Sequence, residues 1–385
     1  MIGAGPAGSW AAYCLARRGA RVTIFDASHP REKPCGGGVT GRALALVGDA
    51  IDRAQLPSSA ITHARFLRGP RESATVPLAG DALTVTSRAD FDAALLDAAC
   101  RAGATLVTAR ATDVALEPNG VRLETSRGTC RVPFVIGADG ANSLVRRRLA
   151  QPFRRDELSI ATGFFAHGVT SNEIVIELVA DPPGYIWSFP RPGHLAIGIC
   201  AQADTGSTAR TLRDRTARWI RDTHLAEDAP LQPYSWPIPS LTAAGCATAP
   251  LAGERWCLAG DAAGLVDPIT REGIYFALQS GQWAAESLAA TRATANYVDR
   301  VRTDILSELA RAARLKARFF HPAFTGLMLR ALQQSPAIRA VMADLIAGEQ
   351  PYAGLRRRLL STLELGLAWK VFVRKGALSG RGTIS

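Results

Sequence analysis

The sequence predicts an α/β protein: a Rossmann-like nucleotide-binding domain, interleaved with an antiparallel substrate sheet and followed by a helical C-terminus. Three observations predict it. A glycine turn, Gly3-Ala4-Gly5-Pro6-Ala7-Gly8, opens a helical pattern almost at the first residue. Two later apolar strands end in glycine–aspartate turns, Val135-Ile136-Gly137-Ala138-Asp139-Gly140 and Leu258-Ala259-Gly260-Asp261. Around them lie stretches of alternating apolar and polar residues, the pattern of half-buried antiparallel strands.

In chain order, Met1-Ile2 is the end of a first strand. A helix runs from the glycine turn through Arg18 and stops at Gly19; residues 21–25 form a second strand closed by Asp26. Strand, glycine turn, helix and strand make a βαβ unit of the expected length. Residues 29–40, rich in Pro and Gly, read as a loop. Residues 61–86 alternate and read as antiparallel strands. Residues 87–103 read as a helix with Phe91, Leu95, Leu96 and Ala99 on one face. Strands follow at 105–108, 113–117 and 120–125. A continuously apolar one at 132–136 has the character of a buried parallel strand. Residues 158–237 are strand-rich, clearest at 173–179, 185–190 and 194–201, with a helix at 210–224. A short buried strand at 256–258 and a helix from Gly273 to Leu288 follow. The remainder is helical, broken at Pro322, Pro336 and Pro351.

Composition excludes several classes. The chain has 385 residues, 47% hydrophobic, enough for a large core. Its seven cysteines form no C-x-x-C pair, which fits reduced thiols in a cytoplasmic protein and not a disulfide framework or zinc site. The six histidines form no H-E-x-x-H cluster, so no metal is expected. The formal net charge is +11, carried almost wholly by arginine. Such charge favours anionic partners in general, but no nucleic-acid-binding motif accompanies it, so nucleic acid is not expected. No signal peptide opens the chain, and no apolar run reaches the roughly 18 residues of a membrane span.

The chemistry lies in the glycine motifs. Gly3, Gly5 and Gly8 fit G-x-G-x-x-G: the first permits the tight turn, the second close approach to a pyrophosphate, the third helix–strand packing. The helix N-terminus then offers free N–H groups to phosphate. Asp26, 18 residues beyond Gly8 (26 − 8), is where an acid would hold an adenosine ribose. A second G-x-G-x-x-G string runs from Gly36 to Gly41, but Pro30 to Cys35 precede it and no strand does, so it is not a second dinucleotide site. Asp139 and Asp261 each bring a carboxylate and bare backbone to a strand's C-terminal end, beside a ligand. Asp261 suits the hydroxyls of a polyol such as ribityl, although Asp at a strand-to-turn corner is also common without any ligand.

These three motifs, in this order and spacing, resemble the FAD-binding fold shared by aromatic-ring hydroxylases, flavin-dependent halogenases and geranylgeranyl reductases. The resemblance implies that Gly3, Gly5 and Gly8 hold the FAD pyrophosphate, Asp26 the adenosine ribose, and Gly260-Asp261 the ribityl chain. It also implies that Arg88, at the start of its helix, lies near the cofactor, as does Asp139. Backbone N–H groups at Gly273 and Ile274 are implied to meet the flavin ring. Three local features are most similar to the geranylgeranyl reductase family: Lys33-Pro34-Cys35-Gly36-Gly37-Gly38, Pro183-Gly184-Tyr185-Ile186-Trp187-Ser188-Phe189-Pro190, and the tail with Gly348 and Tyr352. The family often has glycine where this chain has Arg271, which adds a cation to the flavin-facing loop.

On that resemblance the chain divides into FAD-binding segments 1–58, 85–155 and 248–295, sheet segments 59–84 and 156–247, and a helical region 296–385. The implied activity is reduction of carbon–carbon double bonds in a prenyl lipid by reduced FAD, with NADPH or ferredoxin as electron donor. Cys35, Tyr185 and Trp187 are the expected catalytic-pocket residues, with Gly36 and Gly37 beside the cofactor. A flavin monooxygenase or halogenase shares every FAD motif, and a non-enzymatic electron-transfer flavoprotein is the alternative of another class. Tyr185, Trp187 and Phe189 share one face of a strand, either as a pocket wall or as ordinary core. Cys35 is either a working thiol or a small apolar residue. The tail helix over 355–375, with Leu359, Leu363 and Leu367 between Arg356–Arg358 and Arg374-Lys375, either packs on its own domain or lies on an anionic membrane surface. Finally, a central parallel strand normally needs about five residues, and two precede Gly3. The natural start is therefore expected upstream of Met1, and a chain beginning at Met1 is expected to lack a central strand. Oligomeric state is not readable from these features.

Overall fold

The computed structural model describes residues 1–69, 71–226, 228–288 and 293–362. Leu363, Leu367, Arg374 and Lys375 of the expected tail helix lie outside the described residues; within them the tail forms the helix Tyr352–Ser361.

A parallel sheet carries the glycine motifs. Its order is Thr105–Thr108, Thr23–Asp26, Ile2, Val135–Gly137 and Trp256–Leu258, with Ala252–Gly253 antiparallel at the far edge. At the centre of this sheet residues 1–3 stand as isolated bridges to both neighbours, in place of a full strand. Ile2 N–H donates to Ile136 (3.0 Å) and Gly3 N–H to Phe25 (3.0 Å), while Met1 and Ile2 carbonyls accept from Phe25 (2.9 Å) and Ala138 (2.8 Å). A strand's work in a sheet is to match N–H and C=O groups on both neighbours. Residues 1–3 do so just where the chain must turn into the helix Pro6–Ala16. That helix packs against Ile274–Leu288 on one side and Arg88–Arg101 on the other.

The second sheet is large and mostly antiparallel. Its seven strands run Leu231–Pro239, Leu158–His167, His194–Gln202, Pro183–Arg191, Glu173–Ala180, His63–Arg68 and Glu72–Pro77; only the Glu173–Ala180/His63–Arg68 pair is parallel. The helix Ala209–Thr223 covers one part of it with Leu212, Trp219 and Ile220. The helices Pro322–Gln334 and Pro336–Ala347 pack on its Glu72–Pro77 end, the first through Met328, Leu329 and Leu332 and the second through Ile338 and Met342. Pro322 and Pro336 each stand at the first helical position, where a missing N–H costs nothing.

Three expected elements differ in detail. The alternating stretch 61–86 divides between two sheets: Leu83–Thr86 leaves the large one and pairs with Gly38–Thr40 and Ser58–Ala60. The loop expected over 29–40 accordingly ends in a short strand. The strand expected over 132–136 is two elements, because Pro133 lacks an N–H to continue a ladder. Val132 ends the meander strand Gly128–Val132, and the buried parallel strand is Val135–Gly137.

Candidate active site

One cavity of about 710 Å³ runs between the two sheets, from the glycine turn to the large sheet's apolar face. Of the residues expected at a site, Gly3, Gly5, Asp26, Cys35, Gly36, Gly37, Arg88, Asp139, Tyr185, Trp187, Asp261, Gly273 and Ile274 all line it. Gly8 and Gly260 do not. They stand behind the wall, where lack of a side chain lets the backbone close up: a Cβ on Gly8 would lie 1.9 Å from the Gly3 carbonyl oxygen.

The glycine turn fits a dinucleotide. Gly3 has φ +98°, and a Cβ there would lie 2.4 Å from the Ala138 carbonyl oxygen, so the turn tolerates only glycine. Gly5 caps the helix Pro6–Ala16. A Cβ on Gly5 would meet only His29 Nε2, at 3.6 Å, which leaves room for a phosphate over the helix N-terminus.

Asp26 is more heavily engaged than a free ribose ligand. Its carboxylate accepts from Ala4 N (2.9 Å), Ser28 N (2.8 Å), His29 N (2.9 Å) and His29 Nδ1 (2.8 Å). Burial pushes the Asp26 carboxyl up, but the His29 ring and these backbone donors outweigh it and hold it well below the usual carboxylate range. His29 Nε2 lies 3.4 Å from Asp92, and Arg88 donates to both oxygens of Asp92, at 2.9 and 2.8 Å. A chain of paired charges thus runs behind the cofactor end of the cavity. Asp139 is likewise committed, to the Ser143 hydroxyl (2.5 Å) and Leu144 N–H (2.6 Å), which fixes its turn. Asp261 accepts from Lys33 Nζ at 2.9 Å.

The Cys35 loop is clamped by residues that sequence reasoning missed. Arg191, its side chain fully buried, donates to Glu32 (2.5 Å) and to the carbonyl oxygens of Cys35 (2.5 Å) and Gly36 (3.3 Å). Burial raises the Glu32 carboxyl, but the Arg191 charge outweighs it and the carboxyl is held low. The Cys35 sulfur has Gly37 N–H at 3.2 Å, with Arg191 Nη2 and Arg88 Nη1 at 3.8 and 3.9 Å. A signal for Arg191 was present: it continues the period-2 face of Tyr185, Trp187 and Phe189 on one strand.

The aromatic strand serves as both wall and core. Trp187 is buried against Phe165, Ala196, Cys200 and Tyr234, yet it lines the cavity, and its indole N–H has no acceptor. Tyr185 stacks obliquely on it, ring centres 5.6 Å apart, and donates to the Thr270 carbonyl oxygen at 2.9 Å. Gly36 sits on the Phe189 ring, where a Cβ would come within 2.8 Å. Beyond the aromatics the lining is apolar, with Phe66, Ile174, Phe319, Met342 and Ile346.

This geometry agrees with known proteins. A family model described as FAD binding domain matches residues 1–298. The chain is 30% identical over 308 residues to a geranylgeranyl diphosphate reductase of Rhodobacter capsulatus, a match covering 75% of this chain and 74% of the relative. It is 31% identical over 314 residues to a menaquinone reductase of Mycolicibacterium smegmatis, covering 74% and 75%. Its fold matches a geranylgeranyl bacteriochlorophyll reductase-like crystal structure from Thermoplasma acidophilum with a TM-score of 0.77 at 22% identity, covering 94% of this chain and 98% of that one.

Proposed function

The chain belongs to the geranylgeranyl reductase family of FAD-dependent oxidoreductases, and from that premise we propose that it saturates carbon–carbon double bonds in the prenyl chain of an isoprenoid lipid. The observation that carries this reading is the single cavity joining a dinucleotide cradle to an apolar, aromatic-walled end. An oxidoreductase acting only on small polar substrates has no use for the second half. Both curated relatives are reductases, of a prenyl diphosphate and of a prenylated quinone.

FAD held here would supply, once reduced, the hydride for one alkene carbon, and the other carbon would take a proton. The chain's own residues do the rest. The backbone of Gly3 and Gly5, with the helix N-terminus, orients the pyrophosphate. Asp26 and Asp139 shape the turns beside it, and Arg88 braces Asp26 through Asp92 and His29. Asp261 accepts from ribityl hydroxyls, with Lys33 balancing its charge. Gly273 and Ile274 offer backbone to the flavin edge. Tyr185 and Trp187 lay the isoprenoid flat and exclude water. Cys35 and the Gly36-Gly37 backbone close the cavity at the cofactor end. Electrons come from NADPH or from reduced ferredoxin.

The protein acts in the cytoplasm, with peripheral contact to anionic membrane where prenyl lipids reside. The exposed Arg356 and Arg357 support that contact. Among the described residues, no helix is long and apolar enough to cross a membrane.

The test is direct. The FAD-loaded protein is reduced anaerobically, and geranylgeranyl diphosphate or menaquinone is added while flavin absorbance is followed. Reoxidation with a saturated product supports the reading. Reoxidation that needs molecular oxygen, with a hydroxylated or halogenated product, overturns it.

A further inference from the structure

Arg271 stands in the cavity wall at a cost to the fold. Its φ is +62°, a left-handed conformation that a residue with a side chain adopts only with strain. The turn enforces it: Asp267 N–H donates to the Glu272 carbonyl oxygen (2.9 Å), and Arg271 N–H to the Asp267 carbonyl oxygen (3.0 Å). The Nε and Nη2 of its guanidinium are buried without an acceptor, a second cost. Its Nη1 donates to Ser240 Oγ at 2.5 Å, but that hydroxyl is neutral and also takes Lys316 Nζ at 2.9 Å, so it is no counter-charge. Glycine at this position would avoid both the strain and the buried donors.

The charge is also uncompensated. Arg271 lines the cavity together with Asp261, Glu272, Gly273 and Ile274. Asp261 already pairs with Lys33 at 2.9 Å, and Glu272 with Arg42. Burial raises the Asp267 carboxyl, and its hydrogen bonds and the Arg271 charge offset only part of that, so Asp267 is a poor counter-ion. Arg271 forms no ion pair among the described residues. The turn adjoins the flavin half of the cofactor cradle, since a Cβ on Gly273 would lie 3.3 Å from Asp261 Oδ1. The helix Ile274–Leu288 begins here, and the partial positive charge of its N-terminus adds to that of Arg271. A strained, unpaired cation in a cavity wall points to a function exercised on what the cavity holds.

We propose that Arg271 is a fixed counter-charge for reduced FAD, which raises the reduction potential of the bound flavin. Two electrons and one proton turn the neutral oxidised ring into a monoanion, so a cation held beside the ring favours the reduced form over the oxidised one. The proposal needs the FAD site and not the prenyl substrate, so its test contains no lipid.

The experiment uses the FAD-loaded full chain and its Arg271→Gly, Arg271→Asn and Arg271→Lys variants. Glycine and asparagine accept the left-handed backbone and remove the charge, whereas lysine keeps the charge. The midpoint potential is read by anaerobic reductive titration against a reference dye, and the affinity for oxidised FAD by fluorescence. In both neutral variants the ratio of reduced to oxidised flavin at a given potential should fall about tenfold, the order expected of one unit charge in a partly screened interior. For this two-electron couple that is a midpoint lower by about 30 mV. Arg271→Lys should stay close to the parent, and all three variants should retain oxidised FAD. Unchanged potentials in both neutral variants overturn the proposal, as does a fall in Arg271→Lys equal to that in Arg271→Gly. Loss of oxidised FAD from the neutral variants also overturns it, because Arg271 would then be an anchor in either redox state. If the potentials shift as expected while the parent reduces no prenyl lipid, the counter-charge stands and the prenyl-reductase reading falls.

Discussion

His29 joins two carboxylates, Asp26 at 2.8 Å and Asp92 at 3.4 Å, and Asp92 in turn holds Arg88. Burial lowers His29, but its hydrogen bonds to the two carboxylates outweigh that, and its pKa is raised. Burial raises Asp26 and Asp92, and their His29 and Arg88 partners bring both below the ordinary value. The signs set opposite edges. The His29 contribution is fully present below its unfolded value of about 6.5 and is lost as pH rises through the raised folded value. The carboxylate contribution is present above about 3.9 and is lost as pH falls through the depressed values. Melting temperature should therefore peak between about pH 4 and 6.5 and fall on both sides. In His29→Gln the alkaline-side fall should flatten, and stability at pH 5 should drop by about 1–2 kcal/mol. An unchanged pH profile in that variant would remove His29 from the account. Trp187 supports a second prediction at this scale. Trp187→Leu shortens the aromatic wall and should raise KM for a long prenyl substrate about tenfold, with FAD content little changed, since a lost aromatic contact is worth on the order of 1 kcal/mol beyond area. Parallel loss of both would make Trp187 a core residue.

The Cys35 loop shows what was legible in the sequence and what was not. Its glycines announced a close approach, because only a residue without Cβ fits at Gly36 against the Phe189 ring. The Gly3 and Asp261 turns were legible for the same reason: local spacing fixes their sterics and places them at strand ends. The clamp was not legible, since Arg191 reaches Gly36 across 155 residues, and only the folded register of the large sheet brings them together. Nor was the division of 61–86 between two sheets, because alternation reports a strand's two faces and is silent on its neighbours. The same limit hid the partners of Asp26, which spacing alone offered as a ribose ligand. The clamp can be tested as an element. Arg191→Met keeps much of the volume but leaves Glu32 and two loop carbonyls without their donor. It should destabilise the protein by about 2–4 kcal/mol, as removal of one partner from a buried pair does. It should also make the loop around Cys35 more open to proteolysis. Chemical denaturation and limited digestion of the apoprotein read both effects, and a variant as stable and resistant as the parent would show that the loop holds itself.

At the scale of the whole molecule, the cavity lies between the parallel sheet and the large antiparallel sheet, so a ligand that fills it binds both at once. Polar contacts already cross the gap: Tyr185 to the Thr270 carbonyl, Arg271 to Ser240, and Arg191 to Glu32 and the Cys35 carbonyl. A ligand that binds only the folded state stabilises it by an amount set by its concentration over Kd, about 2.7 kcal/mol at a hundredfold excess. Added FAD should therefore raise the melting temperature of the apoprotein by several degrees, and the increment should grow with the logarithm of FAD concentration. Asp261→Ala removes an acceptor for buried cofactor hydroxyls and leaves Lys33 unpaired. It should weaken FAD binding by about 1–3 kcal/mol, roughly five- to a hundredfold. The FAD-dependent increment should shrink accordingly, while the apoprotein melts within a degree or two of the parent. A melting temperature indifferent to FAD in the parent would mean that the cavity between the sheets is not where the dinucleotide binds.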